Sequence, residues 1–273
     1  MSKLEEKMRI IPHMVAPAEL CLAIDSALLI NMHKKMINGE RCNPILRTYQ
    51  FSNPTIILGN KQSIRKNIDL GKLKQKGIDI TMRTSGGGHM FYTPNDIHFS
   101  FITPISFLES SDIYDNYQQF NKYISDCLNS IGYSVKLGST SIRLSNNKLV
   151  CGTAQKRTSR AVLHHGGIIS KRYDKEVFGI LGATDEERDL LNEITSFLPV
   201  SRKLNDFLNS LYQEFSNSYK KSLEQDEISM AESELKKYFG NKEVIMGGRL
   251  ERYICLIDRH RVKEEEFVYV ERV

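Results

Sequence analysis

Cysteine is scarce and scattered in this 273-residue chain: Cys21, Cys42, Cys127, Cys151 and Cys255 are odd in number, far apart and form no C-x-x-C pair. That spacing speaks against a disulfide framework or a cysteine-held zinc site, no metal ligands are expected, and a reducing, cytoplasmic setting follows. No apolar run approaches the roughly 18 residues a membrane helix needs. The opening Met-Ser-Lys-Leu-Glu-Glu-Lys-Met-Arg is too charged for a secretory h-region, so no membrane partner is expected. Internal repeats and low-complexity segments are missing as well. Charge of one sign is thin: the net value is only +5, and basic residues gather only between Lys61 and Lys76 and at Lys156-Arg157 with Arg160. Aromatic residues are not interleaved with those clusters, which makes a nucleic-acid partner the weakest reading.

What is present reads as an α+β protein. Leu20, Ala23, Ile24, Ala27 and Leu28 recur at helical spacing and predict a helix from Pro17 to about Met36. Ile45 to Phe51 and Thr55 to Gly59 read as strands joined by a turn at Ser52-Asn53-Pro54. A short basic helix around Asn67 to Lys76 leads into the alternating run Ile78 to Met82, and Ile97 to Ile102 alternates as a further strand ending at Pro104. The stripe Ile113, Tyr117, Phe120, Ile124, Cys127, Leu128 and Ile131 predicts a helix, with Ser111 or Asp112 as N-cap and Gly132 as its stop. Strands are expected at Ser134 to Leu137, Ser141 to Leu144, Lys148 to Thr153 and Ala161 to Ile169. Beyond residue 200, Leu204, Phe207, Leu208, Leu211 and Phe215 share a helical face, a short helix is expected from Glu232 to Phe239, and Arg249 to Val273 reads as strand-like. Helices intermixed with mostly antiparallel strands are the α+β pattern.

The richest local signal is Met82-Arg-Thr-Ser-Gly-Gly-Gly-His-Met-Phe91. Three glycines at a strand end let the backbone approach a ligand closely, because no Cβ intervenes. Successive N–H groups there can form an anion-binding concavity, and the guanidinium of Arg83 adds a rigid fork of donors. A plain flexible loop is the competing reading of this segment taken alone.

Several motifs in one order resemble the lipoate–protein ligase A family, in the wider biotin/lipoate ligase and octanoyltransferase superfamily. They are Pro44-Ile-Leu-Arg-Thr-Tyr-Gln, Pro54-Thr-Ile-Ile-Leu-Gly, Arg83-Thr-Ser-Gly-Gly-Gly, Phe99-Ser100, Cys151-Gly-Thr-Ala-Gln-Lys-Arg and Leu163-His-His-Gly-Gly-Ile-Ile, within roughly residues 9 to 200. The resemblance implies a class II biotin/lipoate ligase-like catalytic domain of mixed, mostly antiparallel sheets flanked by helices. It implies ATP and Mg²⁺ as cofactors, lipoate bound as lipoyl-AMP, and transfer to a lysine of a lipoyl domain of an oxo-acid dehydrogenase or of a glycine-cleavage H protein. By the same likeness Arg83, Gly88, His89, Met90 and Phe91 face the nucleotide. Ser85, Gly86 and Gly87 shape the loop and acyl channel, and His165, Gly166 and Gly167 line the site opposite, against the alternative of His165 as a core histidine.

The chain also departs from the family pattern. The family places a lysine three residues before the glycine of its Gly-Ser-Ala segment, and counting back from Gly152 gives Leu149, with Lys148 one residue further. Strand side chains alternate, so Lys148 reaches the site as its catalytic and nucleotide-contacting lysine only if a bulge restores it, and Asn146-Asn147 favours one. Tyr92-Thr93 replaces a His-Asp pair, Asn95-Asp96-Ile97-His98 replaces Gly-Asn-x-Asn, and Thr140-Ser141 replaces Asn-Asp. An alternative enzyme reading is ATP-independent octanoyl or lipoyl transfer with Cys151 as nucleophile, since a thiolate is a good acyl acceptor once its pKa is lowered. A third reading is a non-catalytic, lipoyl-domain-binding homologue. Residues 1–240 are expected to form the catalytic domain and 241–273 a short strand or hairpin extension in place of a full accessory domain. A separate small subunit is then expected to supply closure over the reactive intermediate.

Overall fold

A computed structural model describes residues 7–60, 69–172, 175–180, 186, 189, 195–215 and 217–236. Eleven strands and six α-helices are defined among them. They run β1 (Arg9–Ala16), α1 (Ala18–Ile37), β2 (Ile45–Phe51), β3 (Thr55–Leu58), α2 (Leu70–Gln75), β4 (Asp79–Met82), β5 (Met90–Tyr92), β6 (Ile97–Pro104) and α3 (Ile113–Ser130). Then come β7 (Val135–Leu137), β8 (Ser141–Leu144), β9 (Leu149–Arg157), β10 (Ala161–Ile168), α4 (Lys175–Ile180), α5 (Leu204–Gln213), β11 (Tyr219–Lys220) and α6 (Gln225–Glu234).

The strands form an eight-stranded sheet in the order β11-β1-β2-β6-β10-β9-β8-β7 and a three-stranded sheet in the order β4-β3-β5. Pairing is parallel at β11–β1, β1–β2 and β3–β4 and antiparallel elsewhere, so the α+β expectation holds. β1, β5, β11 and α4 went unread in the sequence. The last helix starts at Gln225, seven residues before the expected Glu232, because Glu224 and Glu227 form a reciprocal capping box. Lys61, Arg65, Lys66 and the strand-like end from Arg249 onward lie outside the described residues.

Local chemistry explains where the two long helices begin and end. α1 follows Pro17 and stops at Asn38, with Gly39 at φ +83° taking the left-handed turn. Asp112 caps α3 by accepting from Tyr114 N and Asp115 N, and Gly132 at φ +95° stops it.

Alternation along the strands feeds two cores, one on each face of the large sheet. On one face Ile11, Tyr49, Phe51, Ala161 and Leu163 pack with α1, which is buried along most of its length beneath α6. On the other, Leu46, Phe99, Phe101, Val162, Val150 and Cys151 pack with Phe120 and Leu128 of α3 and Phe207 and Leu211 of α5. No described helix is long and apolar enough to cross a membrane.

Candidate functional site

A cavity of about 310 Å³ opens where the two sheets meet. From the small sheet and its loop come Ile57, Arg83, Gly87, Gly88, Met90 and Tyr92; from the large sheet come Tyr49, Phe51, His98, Ser141, Arg143, Leu149, Gly152 to Ala154, His165 and Gly166. Leu22 of α1 and Thr140 complete it. The size suits one small organic ligand. Its charged lining is cationic: Arg83 and Arg143 line it, and no aspartate or glutamate does among the described residues.

The glycine loop owes its shape to Arg83. Its Nε donates to Gly86 O at 3.1 Å, and its Nη2 donates to Gly86 O and Gly88 O at 2.7 Å each. Gly87 sits at φ +96°, and a Cβ there would come within 2.8 Å of Arg83 Nη2. Gly59 is required too, since its Cβ would fall 2.1 Å from Gly87 O. Arg83 is thus buried and stapled to its own loop, with no carboxylate among its described ion pairs. Desolvation pulls its pKa below the ordinary arginine value. The residue still lines the cavity, so its charge faces whatever binds there.

Behind the loop lies a buried polar chain. Ser85 Oγ is 2.6 Å from His165 Nε2, and His165 Nδ1 is 3.5 Å from Asp25 Oδ2. Ser100 Oγ donates to the same Asp25 oxygen at 2.6 Å and Tyr49 OH at 2.9 Å, while Arg47 pairs with Oδ1. Arg47 also donates to Cys21 O at 2.8 Å. Desolvation alone would push the Asp25 pKa upward, but Arg47, His165 and Ser100 outweigh it and hold the carboxyl below its ordinary value. One ring nitrogen of His165 thus faces the Asp25 carboxylate and the other the Ser85 hydroxyl. The chain ties α1, β2, β6, β10 and the glycine loop together and orients His165 at the cavity wall. Asp25 was missed in the sequence reading, and Arg47 and Tyr49, though inside the motif Pro44 to Gln50, were given no role; their place with Ile45 and Phe51 at a spacing of two along β2 was the available signal.

The far wall is aromatic. His98 stacks on Phe51 with ring centroids 3.9 Å apart and on Tyr49 at 5.3 Å, and meets the edge of Tyr92 at 4.5 Å. Burial pushes the His98 pKa down to about 3, so the ring is neutral. A Cβ on Gly167 would strike the Tyr92 ring at 2.6 Å and His98 Nδ1 at 2.8 Å, so this glycine makes room for the aromatic wall without lining the cavity itself.

Of the residues anticipated from sequence, Arg83, Gly87, Gly88, Met90, His165 and Gly166 line the cavity, whereas Ser85, Gly86, His89, Phe91 and Gly167 are not among its lining residues. Two expectations meet a different geometry. A bulge does exist in β9: Ile142 pairs with Cys151 and Arg143 with Leu149, which leaves Val150 as the extra residue. Val150 and Cys151 both turn into the α3-side core, and Leu149 returns to the cavity face. The bulge absorbs the one-residue excess, so Lys148, bonded to Leu144 N through its carbonyl, stands three ladder positions before Gly152, but it is not among the described residues that line the cavity. Cys151 is fully buried in the core, its Sγ 3.8 Å from Gly152 O, and desolvation drives its thiol pKa far up. A thiol so placed is neither exposed to the cavity nor ionised, which contradicts its assignment as a nucleophile.

Residues 17–222 match the family model described as the lipoyl protein ligase A/B catalytic domain. The chain is 23% identical over 141 residues to lipoate-protein ligase LplJ of Bacillus subtilis, covering 52% of this chain but only 40% of that protein. It is 27% identical over 186 residues to octanoyltransferase LipM of Moorella thermoacetica, covering 60% of this chain and 66% of the relative. Among solved structures, a bi-partite lipoate protein ligase from Thermoplasma acidophilum superposes with a TM-score of 0.69 at 19% identity, covering 91% of this chain and 99% of that one. A lipoate-protein ligase A bound with ATP gives the same TM-score and identity, covering 89% and 99%. At these identities the structural likeness establishes the fold.

Proposed function

The chain belongs to the lipoyl protein ligase A/B catalytic-domain family, and from that premise we propose that it is an ATP-dependent lipoate–protein ligase. The observation that carries the reading is the cavity itself: cationic where Arg83 meets the glycine loop, aromatic at Phe51, Tyr92 and His98, and with no acid among the described residues that line it. Such a site suits an anionic head on an apolar chain, which describes lipoate or octanoate.

In the first step the acyl carboxylate attacks the α-phosphate of ATP, forming acyl-AMP and releasing pyrophosphate. Arg83 and the backbone from Gly88 through Phe91 hold the phosphates, where fixed donors are worth about 3–4 kcal/mol each in the transition state. Mg²⁺ would travel with the ATP phosphates and offset their charge. Ser85 to Gly87 and His165 to Gly167 frame the acyl chain. In the second step the ε-amine of an acceptor lysine attacks the acyl carbonyl, an amide forms and AMP leaves. The acceptor is a lipoyl domain or a glycine-cleavage H protein. Residues 1–240 form the catalytic unit in this proposal, and a separate small subunit closes the site; the bi-partite Thermoplasma ligase supports that arrangement.

The test is pyrophosphate release from the chain mixed with lipoate, ATP and Mg²⁺, with and without a small accessory subunit. Release that requires all three supports the ligase. Modification of an acceptor from an octanoylated carrier without ATP would overturn it in favour of the transferase, a reading that the likeness to LipM keeps in view. Against that reading, no described cysteine lines the cavity.

A further inference from the structure

The cavity holds a second guanidinium that the mechanism above leaves without a part. Arg143 of β8 lines it from the large sheet, whereas Arg83 reaches it from the end of β4 in the small sheet. Arg143 is the cross-strand partner of Leu149, and the bulge at Val150 keeps both on the cavity face. Its guanidinium is held from behind: Nε donates to Ser141 Oγ at 3.2 Å and Nη1 to Asn147 O at 2.8 Å. These are neutral acceptors, and no described carboxylate pairs with Arg143. The Asn147 carbonyl belongs to the turn whose positive φ of 69° sets up the hairpin. The turn that leads to Lys148 thus braces Arg143 on the cavity face.

We propose that Arg143 is an anion-binding residue of this cavity and that, with Arg83, it clasps the head of the acyl substrate, the carboxylate of lipoate and then the phosphate of its adenylate. The assignment deepens the ligase reading and rests on it. A guanidinium differs from an ammonium at such a position. It keeps its charge at every working pH and offers paired, coplanar donors, so it holds an anion without serving as a base. Two such groups arriving from different sheets also couple head-group binding to the packing of one sheet on the other. Lys148, on the hairpin turn, has no part in this contact.

The experiment compares lipoate with lipoamide, its neutral amide, by calorimetric titration of the full chain and its Arg143→Met, Arg143→Lys and Lys148→Met variants. A non-hydrolysable lipoyl-adenylate analogue serves as a third ligand. Arg143→Met is expected to weaken lipoate and the analogue by about ten- to hundredfold while leaving lipoamide nearly unchanged. Arg143→Lys should recover part of the loss, and Lys148→Met should bind all three ligands like the unaltered chain. Equal weakening of lipoate and lipoamide by Arg143→Met would mean a structural role and overturn the assignment, as would unchanged lipoate binding. A selective loss in Lys148→Met of the size expected for Arg143→Met would overturn it in favour of the lysine. An unaltered chain that binds none of the three ligands would overturn the ligase reading, and this assignment with it.

Discussion

Arg47 and Arg83 are both buried arginines on the edge of one cavity region, yet their surroundings differ in kind. Arg47 is enclosed on β2 with the carboxylate of Asp25 against it, and that carboxylate also collects Tyr49 and Ser100. Its charge is neutralised within the fold. Arg83 has carbonyl oxygens from its own loop and no described carboxylate. A buried cation answered only by dipoles is left with a favourable place for an anion, and the cavity lies where that anion would sit. The first arginine holds the framework, and in the proposed function the second holds a place for the ligand.

Breaking the first region should give the largest effect on stability. Asp25→Ala strands Arg47 without its partner and is expected to cost about 3–5 kcal/mol in denaturant unfolding. A loss below about 1 kcal/mol would mean that the two arginines are not so different. Arg83→Met should divide the effects the other way. Pyrophosphate release should fall by about 10²–10³-fold, as for loss of a pre-organised transition-state donor, while unfolding changes by only about 1–2 kcal/mol from the lost loop hydrogen bonds.

The pH dependence sharpens the contrast between the cationic loop and the neutral aromatic wall. Burial lowers His98 to about 3 and His13 to about 4, against an ordinary value near 6.5. The unfolded chain therefore takes up those protons first, and stability declines as pH falls from about 6.5 towards 3. Asp96 works in the opposite sense: burial, against hydrogen bonds from Thr93 and Ser170, raises it to about 6, so its protonation favours the folded state as pH falls from 6 to its ordinary value. His164 is held well below its ordinary value by burial and Asp25 below its own by its partners, both adding to the histidines' side, so the net slope is a loss on acidification. Denaturation midpoints across pH 3–7 should show it, and His98→Phe should flatten the curve by about one proton. An unchanged slope would mean that His98 titrates freely and that the wall is wet. The smallest change is Cys151→Ala, expected to cost on the order of 1 kcal/mol from lost packing and to leave acyl transfer intact. Abolished transfer with an unchanged fold would place a working thiol where the structure shows core.

Much of this was legible along the chain because it depends on neighbours in sequence. The boundaries of α1, β2 and α3 follow from apolar spacing and from Pro17, Asp112 and Gly132. The glycine loop was legible as a close-approach segment after a strand. β1 went unread because it is buried on both faces and shows no clean alternation. β5 is only three residues long. The pair His164-His165 illustrates the limit at single-residue scale. His164 turns to the α3 side, stacks on Phe120 at 4.8 Å and bonds Asn121 at 3.0 Å, whereas His165 turns to the cavity, Ser85 and Asp25. Alternation says that the two must diverge; it does not say which one faces the ligand.

By itself, then, the sequence determined the succession of elements, the glycine loop and the family likeness, all of which rest on local periodicity and local backbone freedom. Only the tertiary structure decided which side chains meet. One extra residue in β9, Val150, turned into the core and put Leu149, with its partner Arg143, on the cavity face, while Cys151 next to Gly152 packs in the core. Strand register has a period of two, so a single bulge reverses every assignment beyond it. Residues as distant as Asp25, Ser85 and His165 become neighbours only once two sheets have packed.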